Sequence, residues 1–248
     1  MKFDGQTTAP DDEQVDQCAV ERLARMCLVE WLEPSEALDL ATEALVNDEY
    51  AGIRVSAATA LGHLGGIGAR EALKKALRDD PCESVRERCV IALSNLSDRE
   101  DISALLDAVR YDPCGNVAYH AGQALARFQD PRIMETLLYD LQNGSVRERV
   151  GSAQGLGWLQ QVSAVGPLTE AMRTDPYCFL PAMLALHSVG CGDWVERGTD
   201  ALCLWRTSGR EEELRGASEQ ALPGTGELFD EIMGVLEAAG TKALPTGQ

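Results

Sequence analysis

At 248 residues the chain is long enough for one large domain or two small ones, and a chain of that size can bury roughly 70 to 75% of its unfolded surface. Hydrophobic residues at 45% and charged residues at 25% exclude disorder across the whole chain, while aromatic residues at 5% leave Leu, Ala and Val to fill the core. Forty acids against 22 bases give a net charge of −18, so nucleic acid and anionic membrane, which are held by clustered Lys and Arg, are poor partners.

Met1 to Pro10 carries no basic segment followed by an apolar one, so no secretory signal is predicted and a cytoplasmic location is expected. Residues 1–11 read as a disordered tail and residues 12–47 as a capping helix pair. Apolar positions 15, 18, 19, 23, 26 and 27 mark an amphipathic helix over Asp11 to Leu32, sealed by Trp31, and Pro34 to Val46 supplies its partner. Charge divides along the same lines. Residues 1–50 hold 13 acids and 3 bases, residues 51–190 hold 16 and 14, and residues 191–248 hold 11 and 5, so a nearly neutral body lies between acidic ends.

Self-similarity organises residues 48–190. Ile53 to Gly65 is matched by Val85 to Ser97, Val117 to Gln129, Glu148 to Gln160 and Cys178 to Gly190, with landmark leucines Leu61, Leu93, Leu125, Leu156 and Leu186 at spacings of 32, 32, 31 and 30. Between them lie other segments of helical period, such as Ile102, Leu105, Leu106 and Val109, so each repeat is a helix pair. The turns carry Asp80-Pro81, Asp112-Pro113 and Asp175-Pro176 in one class of loop and Asp130-Pro131 in the other. Asn143-Gly144 stands in for the missing Asp-Pro. Strand alternation is absent. A unit of about thirty residues cannot bury its own stripe, so neighbouring units must stack. After Gly192, helices are predicted over Trp194 to Trp205, Arg210 to Leu222 and Gly226 to Ala239, making residues 191–240 a C-terminal helical cap and residues 241–248 a disordered tail.

The order Asp-Pro, then Val-Arg, then small residues closing on Ala60-Leu61-Gly62-His63-Leu64-Gly65 resembles the HEAT-like repeats of the phycobilisome-lyase type. Ile53-Arg54, Val85-Arg86 and Arg149-Val150 fit the opening of that pattern. Pro181 falls inside the second helix of the fifth repeat, where the pattern weakens. The resemblance implies an all-α, right-handed α-solenoid of about five to six helix pairs with helical caps, whose second helices line a concave groove.

Set in columns at 100° per residue, the second helices place Ile53, Ala57, Ala60, Leu61 and Leu64 on the core face. The columns that begin at Val55, Ala58, Thr59 and Gly62 fall opposite. Only Glu87 among their twenty members is charged, so the groove floor is expected to be small, weakly polar and partly apolar. The residues expected to contact a partner are Val55, Thr59, Glu87, Ile91, Tyr119, Gln123, Val150, Gln154 and Trp158, with Tyr119, Ile91 and Trp158 as anchors.

Eight Cys without a signal or a C-x-x-C pair read as reduced thiols, and no H-x-x-x-H or H-E-x-x-H is present, so no metal is expected. Cys82 and Cys114 follow Asp-Pro in successive repeats as neutral turn residues, and Cys89 falls in a core column. His63, His120 and His187 occupy unrelated columns, so no catalytic residue is assigned and no cofactor is called for. The His-Glu pairs of the HEAT-like deoxyhypusine hydroxylase and the cationic surface of HEAT-like DNA glycosylases are both missing. Arg54, Arg86, Arg147 and Arg149 are expected to pair with turn aspartates as a structural ladder. The expected function is a non-catalytic scaffold or adaptor that holds another protein in the groove. The alternative implied by the resemblance is a bilin lyase or chaperone-like protein that handles a tetrapyrrole. The longest uncharged run, Val150 to Thr169, is too rich in Gly and Gln to span a membrane.

Overall fold

The structure is a computed structural model and describes residues 32–243. The expected tail 1–11 and the expected helix from Asp11 through Trp31 lie outside the described residues, as do residues 244–248. Among the described residues the regular elements are helices: α1 (Pro34–Asn47), α2 (Ala51–Leu64), α3 (Gly66–Asp79), α4 (Glu83–Leu96), α5 (Ile102–Tyr111), α6 (Gly115–Phe128), α7 (Pro131–Asn143), α8 (Val146–Trp158), α9 (Val165–Thr174), α10 (Phe179–Ser188), α11 (Trp194–Thr207), α12 (Glu211–Ala221) and α13 (Gly226–Ala243). The all-α, helix-pair architecture is therefore present, with α13 running beyond residue 240, where a tail was expected to begin.

Two kinds of turn generate the repeat. Before α2, α4, α6 and α10, an aspartate folds back on the chain. Asp48, Asp80, Asp112 and Asp175 accept from the backbone N–H of Tyr50, Cys82, Cys114 and Tyr177 at 2.9, 2.8, 2.8 and 3.0 Å. The Asp48 turn has no proline, so the carboxylate rather than the Pro is the common element. Asn143-Gly144 does not substitute in the fourth pair. Ser145 does, through a capping box in which Glu148 accepts from the Ser145 N–H at 2.7 Å and Ser145 Oγ accepts from the Glu148 N–H at 3.4 Å. After each second helix the chain passes through a positive φ, at Gly65 (69°), Ser97 (52°), Gln129 (49°), Gln160 (52°) and Gly190 (77°). These are the last residues of the five matched segments, so the reversal recurs with the period of the leucines.

The described residues form two compact units that divide between Ala92 and Leu93. In the first, α1 packs on α2 and α3, and Ala37, Ala41, Leu45, Ile53, Ala57, Leu61 and Leu73 are buried between them. In the second, α5 and α6, α7 and α8, α9 and α10, and α11 and α12 pack as pairs. First helices touch first helices in the row α7, α9, α11, α13, and second helices touch second helices in the row α6, α8, α10, α12. Leu125, Leu156 and Leu186 sit at the centre, at most 1% exposed. Pro181 does not break α10, because the helix starts at Phe179 and the missing N–H falls in the first turn, where no intrahelical partner exists. Farther along, Trp205 Nε1 donates to the Met172 carbonyl at 3.1 Å, which fixes α11 to α9 without leaving a buried donor unmet.

Candidate partner-binding surface

The second helices carry the expected site residues, and each unit holds its own share. In the first unit Val55, Thr59, Glu87 and Ile91 are half-buried. The Thr59 hydroxyl donates to the Val55 carbonyl at 2.9 Å, so it is turned back on its own helix rather than outward. In the second unit Tyr119 is 41% exposed, Gln123 is exposed, and Gln154 and Trp158 are half-buried. Val150 is only 7% exposed and has too little surface to receive a partner, which corrects its place among the contact residues.

The column beginning at Ala58 also departs from the sequence reading. Ala58, Val90, Ala153 and Met183 are at most 1% exposed, and Gly122 is buried. A period of 100° describes one helix alone, whereas each second helix is flanked by others whose side chains cover this column. Gly62 and Gly157 show how tight that flank is: a Cβ on either would lie 2.8 Å from Ala92 Cβ or 2.7 Å from Ala185 Cα. Leu180 is fully buried as well, and α12 packs against both α10 and α8. The face thus stays open at α6 and the end of α8, and closes toward α10.

What remains open in the second unit is an aromatic cluster. Gly122 has no side chain, and Trp158 from α8 occupies that space, with its indole carbons within van der Waals range of the α6 backbone. Tyr119 meets Trp158 edge to face, with ring centroids 5.8 Å apart at 85°, and stands 5.4 Å from His120. Gln123 donates from Nε2 to the Tyr119 hydroxyl at 2.5 Å, holding the phenol in place while its ring stays accessible. Two of the three expected anchors are therefore brought together; Ile91 lies in the other unit. The role of Gly122 escaped the sequence reading, because its column was scored for polarity and not for the size of a residue 36 positions away.

The arginines do form a ladder. Arg54 binds Asp80 through Nε and Nη2 at 2.7 and 3.0 Å and reaches the carbonyl of Asp48 at 2.9 Å. Arg149 binds Asp175 at 2.6 Å and the carbonyl of Gly144 at 2.9 Å, and Arg86 donates to the carbonyls of Asp80 and Pro81. These hydrogen bonds raise the pKa of Arg54 and Arg149 further above physiological pH, with Asp80 and Asp175 as the respective main causes. Arg147 is different. It is exposed and donates to the Tyr111 carbonyl instead of a turn aspartate.

Clefts of about 260 and 430 Å³ open at equivalent places in the two units, beside Arg54 and Asp80 and beside Arg149 and Asp175. Their guanidinium groups already serve the ladder.

Among the described residues no thiol or imidazole cluster adds chemistry. Cys89 is fully buried and its pKa is pushed up to about 12, chiefly by burial, and burial likewise raises that of Cys178. Cys82 and Cys114 are half-buried at their turns. His63 and His187 are exposed, His120 is half-buried, and no group of three His, Cys, Asp or Glu fit to hold a metal occurs among the described residues. Nor does any described helix have the length and apolarity to cross a membrane.

The family model of HEAT repeats matches residues 8–94 and 102–180, more than half of the chain. No curated protein matches. Among solved structures, the complex of CpcE and CpcF of phycocyanin lyase from Nostoc sp. PCC7120 is similar at 19% identity, over 86% of this chain and 97% of that one, with a TM-score of 0.36.

Proposed function

We propose, from the premise that the chain belongs to the HEAT-repeat family, that it is a non-catalytic scaffold whose second-helix face holds a segment of another protein. The observation that carries this reading is the cluster of Tyr119, Gln123 and Trp158, an accessible aromatic pair set on the backbone at Gly122. Aromatic side chains with few rotatable bonds, already fixed before binding, lose little entropy when a partner covers them. The lack of charge among the neighbouring positions suits an apolar or weakly polar segment, helical or extended.

Val55, Thr59, Glu87 and Ile91 are proposed as a second contact region, on the first unit. Affinity purification with Tyr119→Asp and Ile91→Asp variants that retain their helical content tests the two regions separately. Loss of the co-purified partner in either variant supports that region, and undiminished capture by both rejects the face.

A second reading rests on the repeat signature ending in Ala60-Leu61-Gly62-His63-Leu64-Gly65: binding of a bilin and its transfer to or from a cysteine of a carrier protein. Visible absorbance after incubation with a bilin, together with transfer to an acceptor, distinguishes it. An unchanged spectrum leaves the scaffold reading alone.

A further inference from the structure

We infer that the exposed flank of α13 that carries Leu228 and Val235 docks a basic amphipathic helix of a partner protein, in the place where a second helix would pair with it. This goes beyond the aromatic face proposed above and uses none of its residues.

Within the second unit, α5, α7, α9 and α11 each pack on a second helix of their own. The last helix, α13, continues the row of first helices: it packs on α11 and α12 and buries Phe229, Ile232 and Leu236. A different stripe runs along one edge of that buried face. Leu228, Glu231 and Val235 follow one another at spacings of three and four, which aligns them on one side of a helix, with Leu228 37% and Val235 45% exposed. Gly234 lies beside them, and a Cβ there would meet nothing within 4 Å, so the backbone is open to close approach.

The charges on α13 divide in the same way. Asp230 and Glu237 are held by Arg215 and Arg206, on the flank opposite Leu228 and Val235. Glu227 and Glu231 border the apolar stripe, are exposed, and have no ion-pair partner among the described residues. No Lys or Arg lies on α13 before Lys242. A partner that covers Leu228 and Val235 must therefore bring cations to Glu227 and Glu231. A second copy of this chain would bring its own carboxylates and an overall charge of −18, so like charges oppose self-association.

The test uses the full chain and designed fluorescent helical peptides of about 18 residues. One carries a leucine stripe flanked by lysines, one the same stripe flanked by glutamates, and one the lysine-rich composition with the stripe scrambled. In fluorescence anisotropy the leucine–lysine peptide binds at least about tenfold more tightly than either control, and Leu228→Asp or Val235→Asp removes that advantage. The double variant Glu227→Lys, Glu231→Lys shifts preference to the glutamate peptide. It alters no apolar contact, so it reports even where an aspartate variant fails to fold. Tyr119→Asp leaves all three affinities unchanged. The proposal is overturned by equal binding of the scrambled peptide, by binding that survives Leu228→Asp, or by a loss confined to Tyr119→Asp. A concentration-dependent dimer in sedimentation that Val235→Asp disperses overturns it too, because the occupant is then a second copy.

Discussion

Three residues, Ser97, Gln129 and Gln160, hold φ near 50° at positions where the neighbouring repeats use glycine. A side chain in that region crowds the following carbonyl at a cost of about 1 to 2 kcal/mol, which Gly65 and Gly190 avoid. Gln129→Gly and Gln160→Gly should each stabilise the protein by about 1 kcal/mol, measured as an increase in the midpoint of chemical denaturation at unchanged slope. Ser152 offers a second test of the repeat as a standard. It is fully buried with an Oγ that lacks a partner, in a column where other copies have Ala57, Cys89, Ala121 and Ala182. Since an unmet buried hydroxyl costs about 1 to 3 kcal/mol, Ser152→Ala should be neutral to stabilising, and a loss of stability would show that the hydroxyl does have a partner. Gly122 is the opposite case. Its missing Cβ is the seat of Trp158, so Gly122→Ala should destabilise by about 1 to 3 kcal/mol and shift the tryptophan emission, as overpacking displaces the indole.

At the scale of the helix, the start of α8 is fastened by one carboxylate. The Tyr111 hydroxyl, at 2.5 Å, and the Ser145 N–H and hydroxyl hold Glu148 at a pKa of about 2, with the tyrosine as the largest cause. In the unfolded chain a glutamate titrates near 4.3, so the unfolded state takes up the proton first as pH falls. The contribution of Glu148 to stability is therefore complete above about pH 4.5 and lost as the pH drops toward 2. Glu148→Gln should flatten the acid limb of the stability profile in that window, which urea denaturation at stepped pH would reveal. An identical acid limb in wild type and variant would contradict the cap. This signature was legible, since Ser145-x-x-Glu148 ahead of an apolar run is a capping box, yet Asn143-Gly144 drew the reading because it fills the gap left by the missing Asp-Pro. Positive φ was legible at Gly65 and Gly190 and not at Gln129, because glutamine carries no mark of the left-handed region.

Tandem duplication made the fold readable: leucines at a period of 30 to 32 residues identify helix pairs that must bury one another's stripes. The surface was harder to read, because exposure depends on which helix lies alongside. Val150 and the column of Ala58 look outward on a single helix and are buried by the row of second helices. That same dependence of each pair on its neighbours shapes how the second unit responds to damage. Leu137 is fully buried on α7, between α8 and the adjoining pairs. Leu137→Ala should cost about 2 to 5 kcal/mol, and in a nearest-neighbour system the loss is felt where the repeat makes its contacts. Hydrogen exchange should accelerate most in α7 and α8, less in α5, α6, α9 and α10, and least in α11 and α13, whose apolar contacts close around Trp205 and Leu236. A uniform acceleration across α5 to α13 would instead show that the unit opens as a single cooperative block. In that case any aromatic or apolar patch on it could be disabled from a distance, and loss of binding in a core variant would say nothing about where a partner sits.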